Sequence, residues 1–149
     1  MYVTVFSTLV TMDYEKFATA YMLTDEGKGV IAALIQGYKE PAIALNCGIM
    51  IRECIKQRCL HEYLLDNPDL IKPLFTEYAQ SSTFEISSDA FDTIRFLLRR
   101  NKQLVSKKMK DDKSLYTQVF TWYTSLISSQ EYIICRMSLQ VGVESRDDA

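Results

Sequence analysis

The chain has 149 residues, 48% hydrophobic and 24% charged, with a formal net charge of −2 at pH 7. That length suffices for one domain with a real core, and the small negative charge offers phosphate backbones no global attraction, so nucleic-acid binding is not expected. No run of about 18 uncharged apolar residues occurs and Met1 to Met12 lacks the basic start of a signal peptide, so no membrane contact is expected and a cytoplasmic location is.

In chain order, Phe17, Ala20 and Tyr21 within Met12 to Met22 suggest a helical face that ends an earlier repeat. Gly27-Lys28-Gly29 lacks the pattern of a nucleotide loop and reads as a turn. After it, Val30-Ile31, Leu34-Ile35 and Tyr38 form a helical stripe. A turn around Gly37 to Glu40 leads to Pro41, a good first helical residue because its missing N–H is not needed there. A short segment follows near Cys59 to Leu65. Asn67-Pro68-Asp69 then offers a cap, a proline at the first helical position and a carboxylate at the positive helix end, opening a helix to about Ala79. Its apolar face is Leu70-Ile71, Leu74-Phe75 and Tyr78. Ser82 and Glu85 have capping-box spacing. Beyond them Ile86, Ala90, Ile94, Leu97 and Leu98 form one buried stripe, leaving Arg95, Arg99 and Arg100 to solvent. The charged stretch Lys107 to Lys113 reads as a solvated inter-helix loop. Leu115 to Ile127 supplies another helix through Val119, Trp122, Tyr123 and Leu126, and Ser128 with Glu131 repeats the capping-box spacing. Period-two alternation is nowhere sustained, so no sheet is predicted.

The segments starting at Pro41, Phe84 and Tyr132 superpose as three copies of one helix, at offsets of 43 and 48 residues. Ile43, Ile86 and Ile134 coincide, as do the small residues Cys47, Ala90 and Ser138, and Arg52 with Arg95 in the first two copies. A period of roughly 40–47 residues belongs to armadillo/HEAT arrays. The expected fold is therefore all-α, an armadillo/HEAT-like right-handed superhelix. Its domain is expected over 1–140, with a short acidic tail at 141–149. Such arrays normally present a surface to another protein. Arg52 and Arg95 are expected to form ion pairs, with Glu53 and Asp92 at hand.

Cys47 and Cys54 lie seven residues apart on one predicted helix, roughly 10 Å, which is too far for a disulfide. Cys54, Cys59 and His61 match no paired zinc spacing. Reduced thiols, no metal and no cofactor are expected. His61 is the only histidine, and neither Cys54 nor Cys59 has an evident activating partner, so catalysis is not expected.

The residues from Gly37 to Cys54 closely resemble the calcium-binding protein 39 family of kinase scaffolds, as do Ser82-Thr83-Phe84-Glu85-Ile86-Ser87-Ser88-Asp89-Ala90-Phe91 and, more loosely, Glu131-Tyr132 through Arg136 and Ser138-Leu139. The resemblance covers roughly Val3 to Gln140. It implies a crescent of helical repeats whose concave face clasps a kinase-like domain, the STRAD pseudokinase or sterile-twenty-type kinases, and supports its closed form. Phe84, Tyr132 and Arg136 retain the residue types of the family's concave contacts, while Cys135 replaces the basic residue that usually precedes the arginine. Despite the family's name, no twelve-residue calcium loop is present in the sequence. The family's pocket for a Trp-Glu-Phe tail belongs to further C-terminal repeats and is not expected here. Self-association through uncapped apolar ends is expected, through Val3, Val5, Phe6 and Leu9 at one end and Leu139 and Val141 at the other. The alternative is a generic helical-repeat adaptor for a non-kinase partner, or a non-activating truncated paralogue.

Overall fold

A computed structural model describes residues 2–11, 17–129 and 136, and among these every regular element is helical. The order is α1 (Tyr2–Thr11), α2 (Phe17–Met22), α3 (Asp25–Gln36), a 3₁₀ turn (Gly37–Lys39), α4 (Ala44–Lys56), α5 (Arg58–Asp66), α6 (Pro68–Pro73), a π turn (Leu74–Tyr78), α7 (Phe84–Arg99), α8 (Lys102–Asp111) and α9 (Lys113–Ile127).

The helices stack as three ladders. The short helices α2, α5 and α8 pack in succession, as do the companions α3, α6 and α9 and the long helices α1, α4 and α7. Each unit is thus short helix, companion, long helix, and α1 stands where the long helix of a preceding unit would be. The short helix opens the unit. This is the all-α helical repeat expected from the sequence spacing. The apolar stripes fall largely as predicted: Ile31, Leu34, Ile35 and Tyr38, then Ile71, Leu74, Phe75 and Tyr78, then Ile86, Ala90, Ile94 and Leu97 are all buried in one core, whereas Leu70 and Leu98 are half-buried and Val30 is exposed. From the α9 stripe Val119 and Leu126 are buried, and Trp122 and Tyr123 pack half-buried on the core.

Several local expectations are corrected. Gly27-Lys28-Gly29 is not a turn but part of α3, whose N-cap Thr24 accepts from the Gly27 N–H at 3.2 Å. Gly27 is needed because a Cβ there would overlap the Tyr21 carbonyl and the Met22 backbone. Pro41 does not start α4. Residues 41–43 turn, with the Ile43 and Ala44 N–H groups both donating to Glu40 O at 3.0 Å, and the helix begins at Ala44. Asn67 flanks α6, but its side chain donates back to Tyr63 O at 2.8 Å and so closes α5 instead of capping α6. The α6 helix stops early because Pro73 has no N–H to return to the preceding turn. The chain widens into the π turn, where the Ala79 N–H reaches Leu74 O at 3.0 Å. The Ser82/Glu85 capping box is absent. Thr83 is the N-cap of α7 and makes no side-chain cap bond. From the second box, Ser128 closes α9 and Glu131 lies outside the described residues, as do the start of the third copy and the tail at 141–149.

The charged stretch after Ser106 is helix, not loop. It forms the end of α8, and Asp112 then caps α9 by accepting from the Ser114 and Leu115 N–H groups at 2.9 and 3.1 Å. Lys108 reaches across to α5, 3.1 Å from Glu62 and 2.6 Å from Asp66. The Asp66 hydrogen bond is the main reason its pKa is raised. Both carboxylates are exposed to solvent, so Lys108→Ala is expected to cost less than about 1 kcal/mol in urea unfolding. A larger loss would show that α8 depends on this pair for docking.

Candidate partner-binding surface

The long-helix ladder is the surface that stands out. Tyr2, Val5, Leu9, Ile43, Leu45, Ile49 and Phe84 are large apolar residues exposed along α1, along α4 and the residue just before it, and at the start of α7. They make up seven of the eleven such side chains that are exposed among the described residues, so this apolar exposure is concentrated on one ladder. On α4, Leu45 and Ile49 lie one turn apart, while Cys47, Ile51, Cys54 and Ile55 face the core. On α1, Val5 and Leu9 are exposed, whereas Phe6 packs half-buried against the core and so is not part of an open apolar end. Leu139 and Val141, expected at the other end, lie outside the described residues.

Phe84 is 60% exposed at the first position of α7 and does not plug the junction with the preceding unit. Arg136 is helical and exposed. Tyr132 lies outside the described residues. Leu45 and Ile49 were not singled out from the sequence, although the helical phase of α4 places them opposite the Cys47/Ile51 stripe.

Beneath this surface the ladder is locked by a closed polar ring. Arg52 on α4 donates through one guanidinium nitrogen to Asp89 Oδ1 at 3.0 Å and through the other to Thr93 Oγ1 at 2.8 Å. The Tyr38 hydroxyl donates to Asp89 Oδ2 at 2.7 Å and lies 2.8 Å from Thr93 Oγ1, which gives its own proton to Tyr38. Thr93 is fully buried and Tyr38 nearly so. Burial, then the Asp89 charge, raises the Tyr38 pKa far above the usual phenol range. Burial opposes the Arg52 charge, but the Asp89 hydrogen bond and carboxylate outweigh it, so its pKa is raised. Gly48 sits where α4 crosses α7, and a Cβ there would collide with the Asp89 carboxylate and the Tyr38 hydroxyl. Arg52 therefore does not pair with Glu53, which pairs with Lys56 at 2.6 Å, while Arg95 does pair with Asp92 at 3.1 Å. The ring joins two successive units and fixes the relative rotation of the helices that carry Leu45, Ile49 and Phe84.

Burial sets the character of two of the described thiols. Cys47 and Cys54 are buried and Cys59 is exposed. Burial, with a smaller contribution from the Glu53 charge, pushes the Cys54 pKa up to about 12, so it is a neutral thiol at physiological pH. His61 is buried in the interior, with its ring bonded to Leu97 O and Asn101, and it does not converge on the cysteines. Among the described residues no group of three His, Cys, Asp or Glu side chains is placed to hold a metal, and no helix is long and apolar enough to cross a membrane.

A three-ladder helical array with one exposed apolar flank is the architecture of an interaction module. A family model described as Mo25-like matches residues 1–141, and the chain belongs to that family. It is 38% identical over 112 residues to calcium-binding protein 39-like from Homo sapiens, which covers 75% of this chain and 32% of that protein. Over 112 residues it is 38% identical to the degreening-related gene dee76 protein of Auxenochlorella protothecoides and 30% identical to MO25-like protein 2 of Caenorhabditis elegans. Both alignments cover 75% of this chain, and 33% and 32% of the relatives. The chain thus spans about a third of the length of the curated relatives it matches.

Proposed function

We propose that the chain is a non-catalytic, cytoplasmic scaffold that binds a kinase-like domain, a STRAD-type pseudokinase or a sterile-twenty-type kinase, along its long-helix ladder. The observation that carries this reading is the gathering of exposed apolar side chains on α1, α4 and α7, with Phe84 open at the head of α7. Apolar exposure gathered on neighbouring helices supports an interaction site, and aromatic and arginine anchors dominate such sites. Phe84, Tyr132 and Arg136 are the proposed anchors. A surface that contacts a kinase only in its closed arrangement favours that arrangement by its differential binding energy. The proposed domain is 1–140, with 141–149 as an acidic tail.

Purified chain should bind STRAD or sterile-twenty-type kinase domains in calorimetry. Phe84→Ala and Arg136→Ala should each weaken binding by about 1–3 kcal/mol while far-UV circular dichroism stays unchanged. No binding to any of these domains, or folded variants that bind like the parent, would leave a helical adaptor for a different partner.

A further inference from the structure

We propose that the outer face of α9 is a dimer surface, which pairs with the same face of a second copy of this chain. Among the described residues, four of the eleven exposed large apolar side chains lie off the long-helix ladder. Two of these, Tyr116 (52% exposed) and Phe120 (57% exposed), sit one turn apart on α9 with their rings stacked at 5.9 Å. Tyr123 and Ile127, both half-buried, continue the stripe. From Tyr116 through Phe120 and Tyr123 to Ile127 the steps are four, three and four residues, the spacing of a seam along which one helix packs on another.

Stacking of units within the array does not account for the aromatic pair. The buried stripes Ile31, Leu34, Ile35 and Tyr38, then Ile71, Leu74, Phe75 and Tyr78, share the spacing of Val119, Trp122, Tyr123 and Leu126. In that register Tyr116 and Phe120 stand where the earlier units have Lys28 and Ala32, then Pro68 and Lys72. Positions that hold lysine in the earlier units are not ones that unit-on-unit packing requires to be aromatic.

The chemistry of the face selects a like surface. From Ser114 to Ile127 the helix carries no charged residue, in a chain that is 24% charged, so it offers nothing to a strongly acidic or basic partner. Beside the aromatics lie the exposed Thr117, Thr121 and Thr124, whose hydroxyls donate to the carbonyls of Lys113, Thr117 and Phe120 at 2.8, 2.7 and 2.7 Å. Those protons are already used within the helix, so drying the face strands no threonine donor. Aromatic content with little charge is the composition of interface centres. Steps of four, three and four also read the same in both directions. Two antiparallel α9 helices therefore match in register, with Tyr116 opposite Ile127 of the second copy and Phe120 opposite its Tyr123. Antiparallel pairing sets the helix dipoles head to tail, and the two-fold contact closes at two copies.

An aromatic side chain offers roughly 150–250 Å². About half of Tyr116 and Phe120 is open, so the seam falls short of the ~800 Å² per partner of a standard complex, and the dimer is weak, with a roughly micromolar dissociation constant. No residue of the seam belongs to the long-helix ladder. A dimer thus presents two ladders at once, and its formation does not rest on kinase binding.

The test is sedimentation equilibrium on the full chain from about 5 to about 500 μM, a range over which the parent should pass from monomer to dimer. Phe120→Lys, Phe120→Glu and Tyr116→Lys, all at exposed positions, should each weaken dimerisation at least roughly tenfold with far-UV circular dichroism unchanged. An equimolar mixture of Phe120→Lys and Phe120→Glu should regain dimer, because opposite charges then lie on either side of the two-fold. Leu45→Lys, on the long-helix ladder, should dimerise like the parent. A parent that stays monomeric, a Phe120→Lys protein that dimerises normally, or a mixture no better than its components overturns the proposal. So does loss of the dimer in Leu45→Lys, which would put the contact on the ladder, or growth beyond two copies, which would mean end-to-end stacking of arrays.

Discussion

Asp89→Ala is expected to lower the unfolding free energy by about 3 kcal/mol, read as a shift of the urea midpoint at unchanged slope. The carboxylate accepts from both Arg52 and Tyr38, and its removal leaves a guanidinium and a phenol at a helix crossing without their shared acceptor. Leaving a partly buried charge uncompensated costs more than the intact pair contributes. Arg52→Met should therefore rescue part of the loss: the double variant is expected to be more stable than the two single effects would add up to. Since the ring sets the angle between α4 and α7, Asp89→Ala should also weaken any partner that spans Leu45, Ile49 and Phe84. A loss below about 1 kcal/mol, or strict additivity with Arg52→Met, would show that the ring is solvated and mechanically idle.

The core was legible in the sequence because its signal is periodic. Ile86, Ala90, Ile94 and Leu97 recur at the spacing of one helix face, and all are buried. The repeat was legible for the same reason: Phe84 marks a helix start, and α7 stands beside α4 as an equivalent long helix. What failed was local and depended on competing hydrogen bonds. Asn67 had the composition of a cap, but the Tyr63 carbonyl lay within its reach. The lysines after Ser106 looked like loop because their acids were sought in the same stretch, whereas Lys108 finds Glu62 and Asp66 more than forty residues away. Arg52 has the same history, with Asp89 on the next long helix in place of the adjacent Glu53. Periodicity reports which face is buried but not which distant polar group will be opposite. Phe84 illustrates the corresponding limit for the site: its residue type does not tell whether it is buried, and only its position at the head of α7 shows it open to solvent.

His61 is the other buried polar group on which stability should depend, and here pH is the lever. Its ring is fully buried between α5 and the end of α7, with Nε2 2.7 Å from Leu97 O and Nδ1 3.3 Å from the Asn101 side-chain nitrogen. The carbonyl can only accept, so Nε2 carries the proton and Nδ1 accepts from the Asn101 amide, which fixes a neutral imidazole. Asn101 is held in the left-handed region at φ 51°, a conformation asparagine tolerates better than most residues, and it links His61 to the start of α8. Burial lowers the His61 pKa below 6.5, and the Leu97 hydrogen bond offsets this only in part. The folded state therefore binds a proton less readily than the unfolded chain. The stabilising contribution is fully present above pH 6.5 and is lost as pH falls through the lower folded value. His61→Ala should cost about 3 kcal/mol at pH 7.5, by opening a cavity and leaving the Leu97 carbonyl and Asn101 amide without partners. His61→Gln, which keeps a donor for Leu97 O but does not titrate, should cost less and should flatten the stability profile between pH 7 and 5. Urea unfolding of the two proteins across that range decides the matter: parallel profiles would mean that His61 takes up its proton in the folded state without penalty, and that the junction between α7 and α8 opens to water to receive it.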